Sequence, residues 1–164
     1  MRPLAFASPE QLVIVWENDR VTGTVREPAS VPDFYDFRER NRVFSGAGLF
    51  MVTDGNLTGS GAEPQRVSVG LLSSGVLPLL GTAPLLGRGF TAEEDEPGGA
   101  RVVLLSESLW RSEYGAERSA VGAEITLDDS VYVVVGVMAA SFERCVRRWA
   151  RVAAGSRGSS WWRA

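Results

Sequence analysis

The sequence predicts an α+β fold, a mixed sheet with a few short helices packed on it, followed by an irregular basic tail. Three observations lead there. Short runs rich in Val and Leu recur along the chain and read as strands. Only a few stretches carry helix start and stop residues around an apolar face. Strand and helix segments do not alternate regularly, so repeated βαβ units are not expected. At 164 residues, 45% of them apolar, the chain can bury a substantial core without staples, since a domain of about 150 residues buries roughly 68–70% of its unfolded surface.

Taken in order, Leu12–Trp16 (LVIVW) is an apolar run between polar residues and predicts a buried strand. A polar loop follows from Asn18 to Pro28. Ser30-Val-Pro-Asp33 predicts a helix start: Ser30 can cap, Pro32 is tolerated in the first turn, and Asp33 has the capping-box spacing. Phe34, Phe37 and Phe44 lie near one face of that helix, with Gly46 as its stop, and core packing is the favoured reading over an aromatic binding stripe. Ala47–Thr53 and Arg66–Leu72 predict two strands around a turn-rich segment from Asp54 to Pro64. A short helix is expected from Ser74 to Leu80, interrupted by Pro78 and stopped by Gly81. Thr91–Gly99 reads as an acidic loop. Arg101–Leu105 predicts another buried strand that leads into Ser106, the N-cap of a helix anchored by Leu109, Trp110 and Tyr114 and ended by Gly115. Glu124–Leu127 and Val131–Val137 flank Asp128-Asp129-Ser130 and read as a hairpin.

The charge of −3 conceals a division. Residues 1–143 hold 11 Arg against 20 acids, a net of −9, whereas residues 144–164 hold 6 Arg and no acid, a net of +6. All 17 basic residues are Arg, and there is no His. A Ser-His-Asp triad, a Cys-His dyad, a His-ligated metal, a lysine Schiff base and a Walker A lysine are therefore all excluded. The single cysteine, Cys145, permits no internal disulfide. No stretch approaches the ~20 apolar residues of a membrane-spanning helix, and the first residues lack the pattern of a signal peptide. The chain as written is predicted to be soluble.

Each candidate for chemistry has a structural competitor. Glu93, Glu94, Asp95 and Glu96 could hold a hard cation, yet they lack the alternating ligand spacing and turn Gly of a calcium loop, and a solvated acidic loop is preferred. Asp128 and Asp129 could form a carboxylate pair, but neighbours in a hairpin turn point apart. Ser106 follows a strand as a nucleophile elbow would, but Leu104 and Ser108 stand where that motif needs Gly, so capping is preferred. Gly81, Gly87 and Gly89 match neither the dinucleotide fingerprint nor a P-loop. Asn56-Leu57-Thr58 fits the glycosylation sequon. In the tail, Arg144, Arg147, Arg148, Arg151, Arg157 and Arg163 with Trp149, Trp161 and Trp162 offer charge and stacking surface for nucleic acid or an anionic membrane. Basic composition alone supplies only non-specific electrostatics, so no specific nucleic acid is expected. No catalytic, cofactor-binding or metal-binding residue is assigned.

Four segments in this order carry a family resemblance: LVIVWEND, SVPDFYDFRERNRVFSGAGLF, the stretch from NLTGSGAEPQRVSVGLL through LLGTAPLLGRGFTAEED to VVLLSESLWRSEYG, and VGAEITLDDSVYVVVGVMAASF. Together they resemble the MacB-like periplasmic core domain of ABC transporter permeases, most closely its version in duplicated orphan permeases of the FtsX/MacB type. The resemblance implies an α/β module inserted after the first membrane helix, on the extracytoplasmic side of the cell membrane. Its implied role is to transmit conformational change or bind partners, without catalysis and without a cofactor. Permease membrane helices and a separate ABC ATPase are the implied partners. MRPLAF resembles the segment just after the first membrane helix, and ERCVRRWARVAAGSRGSSWWRA does not resemble the family's continuation after Phe142. The expectation is therefore a partial core domain over 1–143 and an unrelated basic tail over 144–164, as a frameshift or gene fragment would give. The alternative expectation is a free-standing binding module that uses the tail to reach an anionic partner.

Overall fold

A computed structural model describes residues 8–18, 23–27, 29–58 and 64–142. Its main sheet is organised by one strand, β8 (Ser130–Met138). β7 (Glu124–Leu127) runs into β8 through Asp128 and Asp129, whose φ angles of 47° and 63° are the left-handed pair that a two-residue hairpin turn requires. β6 (Val102–Ser106) pairs with β8 in parallel, Val102 facing Val133 and Ser106 facing Met138. A two-residue strand, β5 (Leu86–Gly87), pairs antiparallel with Val137 and Gly136. Val133 pairs with both β7 and β6, and Gly136 and Val137 with both β5 and β6. A residue has one neighbour per edge, so β6 occupies one edge of β8 while β7 and β5 share the other. β3 (Phe50–Thr58) joins β7, and β4 (Gln65–Leu72) pairs with β3 at the far side.

The β6–β8 register slips between Val103/Val134 and Leu104/Gly136, so Val135 is one extra residue in β8. Beyond it the strand is buried on both faces, from Val134 to Met138. Alternating side chains then feed two cores. Leu105, Val134 and Val137 pack with Leu57, Ala120 and Ile125 on one face. Met138 packs with Val76, Leu77, Leu80 and Phe142 on the other, with Leu104 against them.

Among the described residues three helices are seen whole: α1 (Val31–Arg40), α2 (Val76–Leu79) and α3 (Glu107–Tyr114). Their ends follow the residues that predicted them. The Ser30 hydroxyl accepts from Asp33 N at 3.2 Å, and the Ser106 hydroxyl accepts from Leu109 N at 3.2 Å. Gly81 and Gly115 leave α2 and α3 at φ 61° and 56°.

Four local expectations are corrected. Leu12–Trp16 is not a buried strand: among the described residues it has no strand partner, and Val13, Ile14 and Val15 are exposed. Only Glu17–Asn18 (β1) pairs, with Val25–Glu27 (β2), in a separate two-stranded ribbon. Second, α1 stops at Arg40, short of Gly46, because the Asn41 side chain accepts from Val43 N and Phe44 N, both at 2.9 Å, and redirects the chain. Third, Asp54, Gly55 and Asn56 continue β3, which begins at Phe50 and not at Ala47. Asp54 pairs with Arg66 at 2.8 Å, and Gly55 lies so close to Leu127 and Val69 that a larger residue would crowd both. Fourth, the acidic loop contains a 3-10 turn, Ala92–Asp95, that holds two of its carboxylates inward.

Gly136 sits where β5 crosses β8 most closely. A methyl group there would meet the Leu86 and Arg88 carbonyl oxygens at 2.6 and 2.8 Å, both backbone atoms that cannot swing away. Gly136→Ala is expected to cost about 1–3 kcal/mol, as overpacking does. Urea unfolding checks it, with the midpoint falling and the slope unchanged.

Candidate functional site

The residues with the greatest chemical capacity lie in three places, and in each they are engaged by neighbouring backbone. The acidic run is the first. Thr91 opens a capping box whose partner, Glu94, accepts from Thr91 N at 2.8 Å. The same carboxylate takes both arms of the Arg88 guanidinium, at 2.6 and 3.0 Å. The Glu94 side chain is 9% exposed and that of Arg88 51%, so the acid is sheltered and the base lies over it. Hydrogen bonding from Arg88 holds the Glu94 carboxyl below its ordinary value of 4.5, against the opposing effect of burial. Asp95 turns the other way. It accepts from Ser74 N at 2.9 and 3.1 Å and from the Ser74 hydroxyl at 2.7 Å, tying the run to the chain just ahead of α2. Glu93 and Glu96 alone face solvent. The preferred reading of a fully solvated loop is corrected for Glu94 and Asp95. The signal was present, since Thr91-x-x-Glu94 is a capping-box pattern.

At the second place, the Asp128 carboxylate accepts from Asn56 N at 2.9 Å and from the Asn56 side chain at 3.1 Å, while Asp128 N donates to Asn56 O at 3.1 Å. The hairpin turn is thereby fastened to β3, and the sequon asparagine is part of the fastening. At the third, Ser106 caps α3 and lies 3.0 Å from the Ser108 hydroxyl. Glu107 beside it accepts from Ala140 N at 3.0 Å and pairs with Arg111 at 2.8 Å, linking α3 to the residues that follow β8.

The glycines have steric uses. Gly81 ends α2, Gly87 lies against the Val135 carbonyl at φ 77°, and a side chain at Gly89 would meet Leu77 at 3.3 Å. The aromatic stripe divides. Phe34 is 7% exposed, but Phe37 and Phe44 stack at 6.0 Å on the surface beside Val43, which is 85% exposed. With the helix ending at Arg40, Phe44 leaves the face that the predicted helix would have buried. Arg38 lies over the Tyr35 ring at 4.9 Å. Among the described residues no cluster of His, Cys, Asp and Glu has the arrangement of a metal site, and no helix is long and apolar enough to cross a membrane. The tail residues from Arg144 onward, with Cys145 and the three Trp, lie outside the described residues.

Two outcomes follow from this geometry. Ser106→Ala removes a helix cap and is expected to cost about 1 kcal/mol in an unfolding titration. Glu94→Gln keeps an acceptor for Thr91 N but loses the ion pair, for about 0.5–1 kcal/mol given the exposure of Arg88. Because the folded Glu94 binds its proton less readily than the unfolded one, its contribution is present above the ordinary value of 4.5 and disappears as pH falls through the lowered one. The stability gap between wild type and Glu94→Gln should therefore be full at pH 7 and close below pH 4.5.

Among curated proteins none matches significantly. Among solved structures, the periplasmic region of MacB from Actinobacillus actinomycetemcomitans matches with a TM-score of 0.60 at 17% identity, covering 76% of this chain. The chain spans 57% of the length of that structure, and the likeness is one of fold. The family model for the MacB-like periplasmic core domain matches residues 2–153, past the expected boundary at Glu143. The chain belongs to the MacB-like periplasmic core domain family.

Proposed function

We propose that this chain acts as the extracytoplasmic core domain of an ABC-type permease, a non-catalytic module that carries conformational change between membrane helices and an extracytoplasmic partner. Family membership over residues 2–153 supports the setting. One observation carries the mechanical reading: the groups that could do chemistry are used as fasteners. Asp95 and Asp128 each accept from a backbone N–H distant in the chain, and Ser106 and Glu94 from one three residues away. Asp95 ties the acidic turn to the chain ahead of α2, Asp128 ties the hairpin turn to β3, and the other two brace their own turns. A body braced in this way moves as a unit, as a transmitting element must. The coupling it would carry is a difference in free energy between two states of the assembly, driven by the nucleotide state of a separate ATPase. Its energy source lies outside the domain.

Spin labels at exposed Ser68 and Ser119 test this in vesicles that hold the chain with permease helices and ATPase. The distance between these two labels within one copy is expected to stay constant on adding ATP, while the distance from either label to one on the membrane helices changes. A constant distance to the helices would overturn the reading, as would a nucleotide-dependent change within the domain.

A further inference from the structure

Residues 140–142, after β8, are helical, and the start of this helix is held from outside. The Glu107 carboxylate accepts from Ala140 N at 3.0 Å, satisfying one of the N–H groups that a helix start leaves open. Phe142 is buried in this turn and packs with Val76, Leu77, Leu80 and Met138. The sequence beyond it keeps the same phase. At about 3.6 residues per turn, Cys145, Val146, Trp149, Val152 and Ala153 fall within about 80° of Phe142. Arg144, Arg147, Arg148 and Arg151 fall on the opposite side, and Gly155 is the first helix-stopping residue after Phe142. In sequence, the face that begins in the core continues as an apolar stripe for about three turns.

The same core receives the chain ahead of β1. Leu12 packs against it, yet the next residues, Val13, Ile14 and Val15, are 62%, 52% and 57% exposed. Acids flank this run, Glu10 before it and Glu17 after it, whereas residues 144–153 hold four Arg and no acid. The lengths also agree. A helix rises about 16 Å from Phe142 to Ala153, and Leu12–Trp16 spans about 13 Å if extended.

We infer that the helix begun at Ala140 continues through residues 143–153 and lays its apolar stripe on Leu12–Trp16, clasping together the segments that precede β1 and follow β8. Trp149 is the largest side chain in the stripe and the anchor of the contact. Charge selects this occupant over an anionic lipid surface: a cationic helix is attracted to a run flanked by acids, and such a surface is repelled. Proximity selects it over a second copy, because the segment leaves the core that Leu12 packs against, and tethering over a short distance gives an effective concentration of about mM. The family match also extends through Ala153, the last residue of the stripe.

Cys145 lies in the stripe and is the only thiol of the chain, so its labelling by a maleimide reports the contact. In the full-length chain it is expected to react at least tenfold more slowly than in the triple variant Val13→Ser, Ile14→Ser, Val15→Ser. The three positions replaced are exposed, so both cores keep their residues. Trp149→Gln should release the thiol equally, from the other side of the contact. Rapid labelling of the unaltered chain would overturn the inference, as would slow labelling that neither variant changes. Protection that appears only as chain concentration rises would assign the run to a second copy. Protection that appears only with vesicles of anionic phospholipid would assign it to the membrane surface. Either of these results overturns the intramolecular clasp.

Discussion

The fold depends on a single strand that is shared four ways. At Gly136 and Val137 β8 has β6 on one edge and β5 on the other, and from Val134 onward it has a core against each face. A backbone buried on all sides must bond every polar group to protein, because water cannot reach it. That requirement explains both irregularities nearby. The extra residue at Val135 places its carbonyl 3.0 Å from Arg88 N, and Gly136 without a side chain lets β5 close on the same segment. Everything else in the main sheet is anchored to this strand directly or through β7.

Away from β8 the chain is less regular, and polar side chains stabilise what the ladder cannot. Asp95, Glu94, Asp128, Asn41 and Glu107 each accept a hydrogen bond from a backbone N–H that would otherwise lack a partner in the fold. A hydrogen bond to a charged acceptor contributes about 1.5–3 kcal/mol, more than a neutral one. This use accounts for the placement of Glu94, Asp95, Asp128 and Glu107 against backbone N–H groups.

What could be read from the sequence was local. Ser30, Ser106 and Gly115 mark helix ends by chemistry confined to one turn, and the Asp128–Asp129 hairpin needs only its own two residues. What could not be read depended on distant partners. Leu86–Gly87 is a strand only because Gly136 leaves room for it. Leu12–Trp16 has the composition of a buried strand, yet among the described residues nothing pairs with it. Asp54-Gly55-Asn56 carries turn residues, and the pairing of β3 with β4 and the Asp128 clamp override that propensity. Phe37 and Phe44 read as core only while the helix was taken to reach Gly46, beyond the Asn41 bonds that end it. Among the site residues, the cap at Ser106 was legible, whereas the pairing of Asp95 with Ser74 spans 21 positions and left no local mark.

The parallel arrangement of β6 and β8 has a mechanical consequence. Strands drawn apart from opposite ends load all their connecting hydrogen bonds together, in shear, whereas a hairpin opened from its free ends parts one bond at a time. The Val102–Ser106 ladder therefore resists a pull along β8 as a block. The β3–β4 and β7–β8 hairpins yield stepwise to a pull at their open ends. Stiffness in this domain is directional, greatest along its central strand.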